Sequence, residues 1–305
     1  MLPSPKIYRP SPALAGIVDC IVDLDFPDGE AAKALTIKVL PTTAPALVLL
    51  YRPDTQADCR WRFGPKGFAH KGDMHAAAKL ETGIVTIYPT GPIGALIVCL
   101  KPEAAACVMG APVEDFMDRR IALGQVFGDG EVSLLEEMLA ESGDRAGRLA
   151  CVERFLLART RRPASDPIVS RAVGLLRRAP SFPVQRLAST LDISEKQFRR
   201  RFHAAIGSNP KQFARIARIG RSLVERRRGA NWAQVAHACG YQDQAHLIHD
   251  FNQIVGRPPD AFLGTAAILP GMEWFSFAAR APGSTGGRYD RCGPGAYASS
   301  NHEAG

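Results

Sequence analysis

The sequence predicts an α+β chain: an N-terminal, mainly-β barrel or sandwich with helices following it, then an all-α domain of two helix-turn-helix units. Three observations predict it. Over the first hundred residues, short runs of Val, Ile and Leu alternate with turn-forming clusters. Near residue 102 the apolar spacing changes to the helical period. Within the helical half, a set of residues then recurs 49 positions later, as a duplicated supersecondary unit would.

The strands are expected at "IVDCIVDLDF" (17–26), "ALTIKVL" (34–40), "APALVLLYR" (44–52), "IVTIYPT" (84–90) and "GALIVCL" (94–100), parted by turns such as "FPDG" and "YRPDTQ". Short strands at this spacing suit a barrel or sandwich. "PEAAACVMG" ends on a glycine placed to close a helix. "EVSLLEEMLAES" puts Val132, Leu135, Met138 and Leu139 on one side, and "DRAGRLACVERFLLAR" does the same with Leu149, Val152, Phe155 and Leu156. Such a pair packs on its own domain or forms a dimer seam. "TRRPASDP" (160–167) reads as a linker. The expected organisation is therefore a sensor or dimerisation domain at 1–160, a linker at 161–167, a helical domain at 168–265 and a disordered Gly/Ser/Ala-rich tail at 271–305.

Charge separates the halves. From Asp166 to Leu263 there are 16 Lys or Arg against 7 acids, a surplus of 9, while the whole chain carries +8. A basic module joined to a near-neutral one points to a polyanion partner for the module alone. The N-terminus "MLPSPKIYRPSP" has no signal-peptide core and no run is long enough to span a bilayer, so the expectation is a cytoplasmic, nucleoid-associated protein with no membrane partner. Cys20, Cys59, Cys99, Cys107, Cys151, Cys239 and Cys292 are scattered with no C-x-x-C pair and read as small packed thiols.

In the repeat, Phe198, Phe202, Gly207, Pro210 and Phe213 return as Leu247, Phe251, Gly256, Pro259 and Phe262. Leu187-Ala188 returns as Val235-Ala236 at 48, so the second copy has one extra residue in its turn. Each copy reads as helix, turn, helix, with Ser194 capping "EKQFRRRFHAAI" and Asp243 or Gln242 opening "QAHLIHDFNQIV". The second helix of such a unit enters the DNA major groove. The helical wheel buries Phe198, Phe202, Ala205 and Ile206 in the first and Leu247, Phe251, Ile254 and Val255 in the second. It turns Lys196, Arg200 and His203 outward with Arg199 beside them, then Gln242, Ala245, His249 and Asn252 flanked by Gln244 and Ile248. Lys and Arg suit guanine edges or phosphates, and Gln suits adenine.

These residues carry a resemblance to the DNA-binding domain of the AraC/XylS family of bacterial transcription regulators. The family's second unit commonly reads A-x-x-x-G-[FY]-x-D-x-S-H-F-x-R-x-F-K-x-x-x-G-x-x-P. "AHACGYQDQAHLIHDFNQIVGRPP" keeps Ala236, Gly240, Tyr241, Asp243, His246, Phe251, Gly256 and Pro259. Much more loosely, "YRPSPALAGIV" and "LKPEAAACVMGAP" resemble sensor-like domains found with this module. The resemblance implies two units joined by a long helix, roughly Pro210 to Arg226, about 25 Å long, reaching successive major grooves about 34 Å apart.

Carried over, the base-reading candidates are Lys196, Arg199, Arg200, Gln244, Ala245 and His249. Phosphate candidates are Ser194, Arg201, His203, Lys211, Gln242 and Asn252, and Leu187, Phe198, Phe202, Leu247, Phe251 and Phe262 form the structural core of the units. The usual Ser, Arg and Lys of the second reading helix are replaced by Ala245, His249 and Asn252, and Asp250 is expected to add a negative charge there. The first unit should then dominate affinity. His246 is expected to pack, and His249 to act as a pH-sensitive substitute for the family's arginine.

The reading implied is a sequence-specific regulator on double-stranded DNA, with a small-molecule effector, a homodimer partner and RNA polymerase all open for the N-terminal half. That half acts as a sensor, or it only dimerises or contacts a protein. No cofactor, metal or catalytic residue is expected. The weakest alternative is a metal or enzymatic site from Cys59, His70, Asp73 and His75, which lack ligand spacing.

Overall fold

Alternating apolar residues build the N-terminal half of the chain, which a computed structural model describes at residues 5–43, 45–55, 57–62, 69–72, 77–78, 84–116 and 121–160, as it does 166–263 and 275–279 beyond it. In chain order the elements there are β1 (Lys6–Tyr8), β2 (Val18–Phe26), α1 (Gly29–Lys33), β3 (Leu35–Val39), β4 (Ala46–Leu50), β5 (Ala57–Arg62), β6 (Ala69–Gly72), β7 (Ala77–Ala78), β8 (Ile84–Pro89) and β9 (Ile93–Leu100). α2 (Ala105–Met109), α3 (Leu123–Phe127), α4 (Asp129–Glu141) and α5 (Arg145–Arg159) follow. The strands form two antiparallel five-stranded sheets, in the orders β1-β2-β9-β4-β7 and β10-β3-β8-β5-β6, where β10 is Phe275–Ala279.

Period-two alternation sorts each strand between two cores. Val22, Leu24 and Phe26 of β2 meet Leu35, Ile37 and Ile87 between the sheets. Ile21, Leu47, Leu49, Leu96 and Val98 face the other way, against Leu135 and Leu139 of α4 and Val152 and Leu156 of α5. Lying between both cores, β9 is buried along its whole length, which is why "IGALIVCL" reads as a continuous apolar run. The α4–α5 pair therefore packs on its own domain, and Gly110, at φ 70°, closes α2 as expected.

The basic half is helical: α6 (Pro167–Arg178), α7 (Val184–Thr190), α8 (Glu195–Ile206), α9 (Pro210–Arg227), α10 (Trp232–Ala238), α11 (Gln244–Val255) and α12 (Pro259–Leu263). The first unit is not a separate body. Leu14, Ala104, Val108 and Val113 of the N-terminal half share one core with Val169, Val173, Leu176, Phe198 and Phe202. Arg177 of α6 pairs with Asp19 of β2 at 2.7 Å. The second unit leans on the other sheet, where Leu40 and Ile84 pack with Ile219, Phe251, Ile254 and Phe262.

One expectation is corrected. Within the stretch read as a disordered tail, Phe275–Ala279 runs antiparallel along β3, from Phe275 opposite Val39 to Ala279 opposite Leu35. The Gly/Ser composition that suggested disorder belongs to the residues after it. "FSFAA" itself has aromatic strand formers, and it covers a β3 edge that would otherwise show unpaired N–H and C=O groups. The linker core 161–165 and the rest of the tail lie outside the described residues, as do Asp73, His75 and the side chains of Cys59 and His70.

Candidate nucleic-acid interface

The 49-residue repeat is a repeat of structure. Helices α7 and α8 correspond to α10 and α11, each pair joined by a short turn. Ser194 and Asp243, 49 apart, both act as N-caps: the Ser194 hydroxyl accepts from the Gln197 amide, and the Asp243 carboxylate from that of His246. Gly207 and Gly256, also 49 apart, close α8 and α11 at φ 74° and 78°, a left-handed backbone that glycine takes without strain. The slip is real as well. In the first turn Asp192 takes φ 55° and in the second Gly240 takes φ 71°, so the extra residue falls after them, at Gln242.

Of the stripes expected, the second is buried throughout and the first is buried except at Ala205, which is half-buried. Phe198, Phe202 and Ile206 are fully covered, as are Leu247 and Phe251, with Leu187 and Phe262 closing the two ends. Phe202 stacks edge-on between Phe198 and Phe213. Opposite these stripes, Lys196, Arg199, Arg200 and His203 are exposed on α8, and Gln244, Ala245, His249 and Asn252 on α11, with Gln242 in the turn before it.

Their partners differ. Lys196 and Arg200 form no ion pair or hydrogen bond with the described residues. Arg199 is held by Glu195 one turn back. Arg201, a phosphate candidate, turns inward and grips Asp166, the cap of α6, through Nε at 2.6 Å and Nη2 at 2.8 Å. Burial pushes the Asp166 carboxyl up, but the two Arg201 bonds and the amides of Val169 and Ile168 outweigh it and hold it below the usual range. The Ser194 hydroxyl is engaged in its capping box with Gln197, while Lys211 stays exposed at the start of α9. His203 Nδ1 lies 3.5 Å from Glu114, so a carboxylate of the N-terminal half flanks the far end of α8.

In the second unit, Asp250 does not charge the outward face. It is 7% exposed, and Oδ1 accepts from Nε and Nη2 of Arg215 at 2.8 and 2.6 Å. Its Oδ2 accepts from the Tyr241 hydroxyl at 3.1 Å. The helical wheel placed Asp250 one step from His249 without the means to see Arg215 on another helix. His246 lies edge-on against the Tyr241 ring at 5.3 Å, which agrees with a packing role although the residue is exposed. His249 meets Gln253 at 2.8 Å, and Gln253 in turn meets Arg215 at 2.8 Å. Glu114, Arg215 and Gln253 were missed by the sequence reading. The i,i+4 spacing of His249 and Gln253 was the one available signal.

Residues 187–265 match a family described as a helix-turn-helix domain, and residues 6–122 match a domain of unknown function, DUF6597. A comparison with curated proteins gives no match. Among solved structures, the chain is similar to the DNA-binding domain of AdpA, a global transcriptional factor, in complex with a target DNA. That likeness has 27% identity over 32% of this chain and 90% of that one, with a TM-score of 0.28. It is also similar to ToxT from Vibrio cholerae O395, at 8% identity over 86% and 96% of the two chains, TM-score 0.42. A third likeness is to unsaturated fatty acid-bound ToxT from Vibrio cholerae strain SCE256, at 9% identity over 81% and 94%, TM-score 0.42.

Proposed function

We propose that this chain, a DNA-binding transcription regulator by virtue of the AraC-type helix-turn-helix domain at its C-terminus, reads a specific duplex site with α8 and α11 in successive major grooves. One observation carries the proposal: two equivalent helices each turn an exposed polar face outward, opposite a buried stripe, at either end of α9. The 18 residues of α9 span about 27 Å, which with the width of the units suits grooves about 34 Å apart.

The first unit supplies most of the affinity, because the free cations Lys196 and Arg200 lie on α8 while the outward positions of α11 are neutral. Lys196, Arg199 and Arg200 read bases there. Gln244, Ala245 and His249 do so in the second unit, with Lys211 and Asn252 toward phosphates. Arg201 belongs to the α6 lock instead.

The N-terminal half regulates by setting the position of the first unit. The shared core around Val113 and Phe198, the Asp19–Arg177 pair and the Glu114–His203 contact support that reading. Its input is a small molecule, a second copy of the chain or RNA polymerase. The reading as a regulator rests on the helix-turn-helix domain at residues 187–265.

Selection of bound sequences from a random duplex pool by the full chain, followed by affinity against salt on the recovered site, tests this. We expect one enriched site. Affinity should fall steeply with salt, by a log–log slope of about 0.9 per phosphate neutralised. A flat salt response or an unenriched pool overturns it.

A further inference from the structure

His249 lies on the outward face of α11, and its ring is not free to choose which nitrogen carries the proton. Its Nε2 is 2.8 Å from Nε2 of Gln253, one turn further along the helix. The opposite end of that amide, Oε1, is 2.8 Å from Nη2 of Arg215 on α9. A guanidinium has donors and no acceptor, so the amide atom against Arg215 has to be the oxygen. The amide's NH2, which only donates, therefore points at His249. A ring nitrogen facing a donor must present its lone pair. In the neutral imidazole the proton then sits on Nδ1, the nitrogen that no described protein group meets.

The direction of this chain is set from inside the protein. Arg215 delivers both Nε and Nη2 to Asp250 Oδ1, and the Tyr241 hydroxyl holds Asp250 Oδ2. The Asp250 side chain is 9% exposed. From the buried carboxylate outward, each group can take only one polarity: acceptor at Asp250, donor at Arg215, acceptor then donor across Gln253, acceptor at His249 Nε2.

We propose that Gln253 is a positioning residue that fixes His249 as an Nδ1–H donor, so that the second unit reads a base with a major-groove acceptor, foremost guanine, whose N7 and O6 both accept, with adenine N7 and thymine O4 the lesser alternatives. Cytosine presents an N4 amino donor in the same groove and is rejected, whereas the opposite tautomer would accept from it. This specificity rests on α11 lying in the major groove as proposed above. The tautomer does not.

The two parts are separated by two measurements on the full chain. Nitrogen-15 NMR of the histidine rings at a pH of about 8.5, above the ordinary histidine range, gives the tautomer, with the His249 signals identified by their loss in His249→Ala. Wild type is expected as Nδ1–H. Gln253→Glu replaces the donor by an acceptor and moves the proton to Nε2, and Gln253→Ala shifts the tautomer ratio toward Nε2–H by about fivefold, the weight of one net hydrogen bond. All three substitutions are at exposed positions of the helix. An Nε2–H ring in wild type, or an unchanged ring in Gln253→Glu, overturns the lock.

In parallel, wild type should select a site with guanine at one position where His249→Ala loses the preference and Gln253→Glu admits cytosine. Should His249→Ala select the same site as wild type, base reading by His249 is refuted while DNA binding stands. Should wild type select no site, the DNA reading itself fails, and base reading by His249 falls with it. The NMR result still decides the lock.

Discussion

Replacing Asp250 by alanine should destabilise the second unit by about 3 kcal/mol. The buried Tyr241 hydroxyl loses its acceptor, which costs about 1–3 kcal/mol for a stranded polar group. Arg215 loses both its bonds to the carboxylate. Breaking a fully buried ion pair costs about 3–5 kcal/mol. The Arg215 side chain is 27% exposed and can turn to water, so only a fraction of that applies. At about 2–4 °C per kcal/mol for a protein of this order of size, the melting temperature should fall by roughly 6–12 °C. Thermal unfolding followed by circular dichroism measures it. Tyr241→Phe on top of Asp250→Ala removes the stranded hydroxyl, and should recover about 1 kcal/mol or more. A single variant melting within about 2 °C of wild type, or a double variant no better than the single one, would refute the account of Asp250 as a buried acceptor for two elements.

Arg200→Ala should weaken binding to the selected site by about 1–3 kcal/mol, and His249→Ala by less; fluorescence anisotropy titrations decide, and a larger loss at His249 contradicts dominance of the first unit. Glu195→Ala releases Arg199 from its ion pair and removes a carboxylate from the face of α8, so affinity should rise by roughly two- to fivefold, the modest scale of an exposed pair. Asp166 adds a pH signature. Its carboxyl is lowered in the folded state, so its contribution is present above the unfolded value of 3.8 and lost as pH falls through the folded value. The stability gap between wild type and Asp166→Asn, measured by urea unfolding, should therefore be largest near neutrality and narrow in acid. A gap that widens in acid would reverse the sign.

Local chemistry was legible in the sequence. Apolar alternation found the long strands, and the 49-residue spacing located the two capped units because caps, closing glycines and buried stripes depend on neighbours within a turn or two. Contacts that join distant segments were hidden. Val113 and Phe198 are unremarkable apolar residues apart, and nothing in either announces a shared core. Arg201 sits in an apparently solvated "RRR", yet its partner Asp166 lies 35 residues earlier. Asp250 looked like surface charge for the same reason, since the arginine that neutralises it is on α9. The exposed faces of α8 and α11 followed from helical period, but the hydrogen-bonding character of His249 on α11 is decided by second neighbours such as Gln253 and Arg215.

The pairing of β10 with β3 makes the helical half a domain inserted within its neighbour, since the chain leaves the sheets after β9 and returns to them at Phe275–Ala279. Joined to the sheets at both ends of its chain as well as through the shared cores, the inserted half does not hang on a single leash. Cutting the chain at the linker has a cost as well. A fragment ending near residue 160 leaves β3 as a bare sheet edge, open to pairing with other copies. The N-terminal half is best produced with residues 275–279 included, which restores the missing edge.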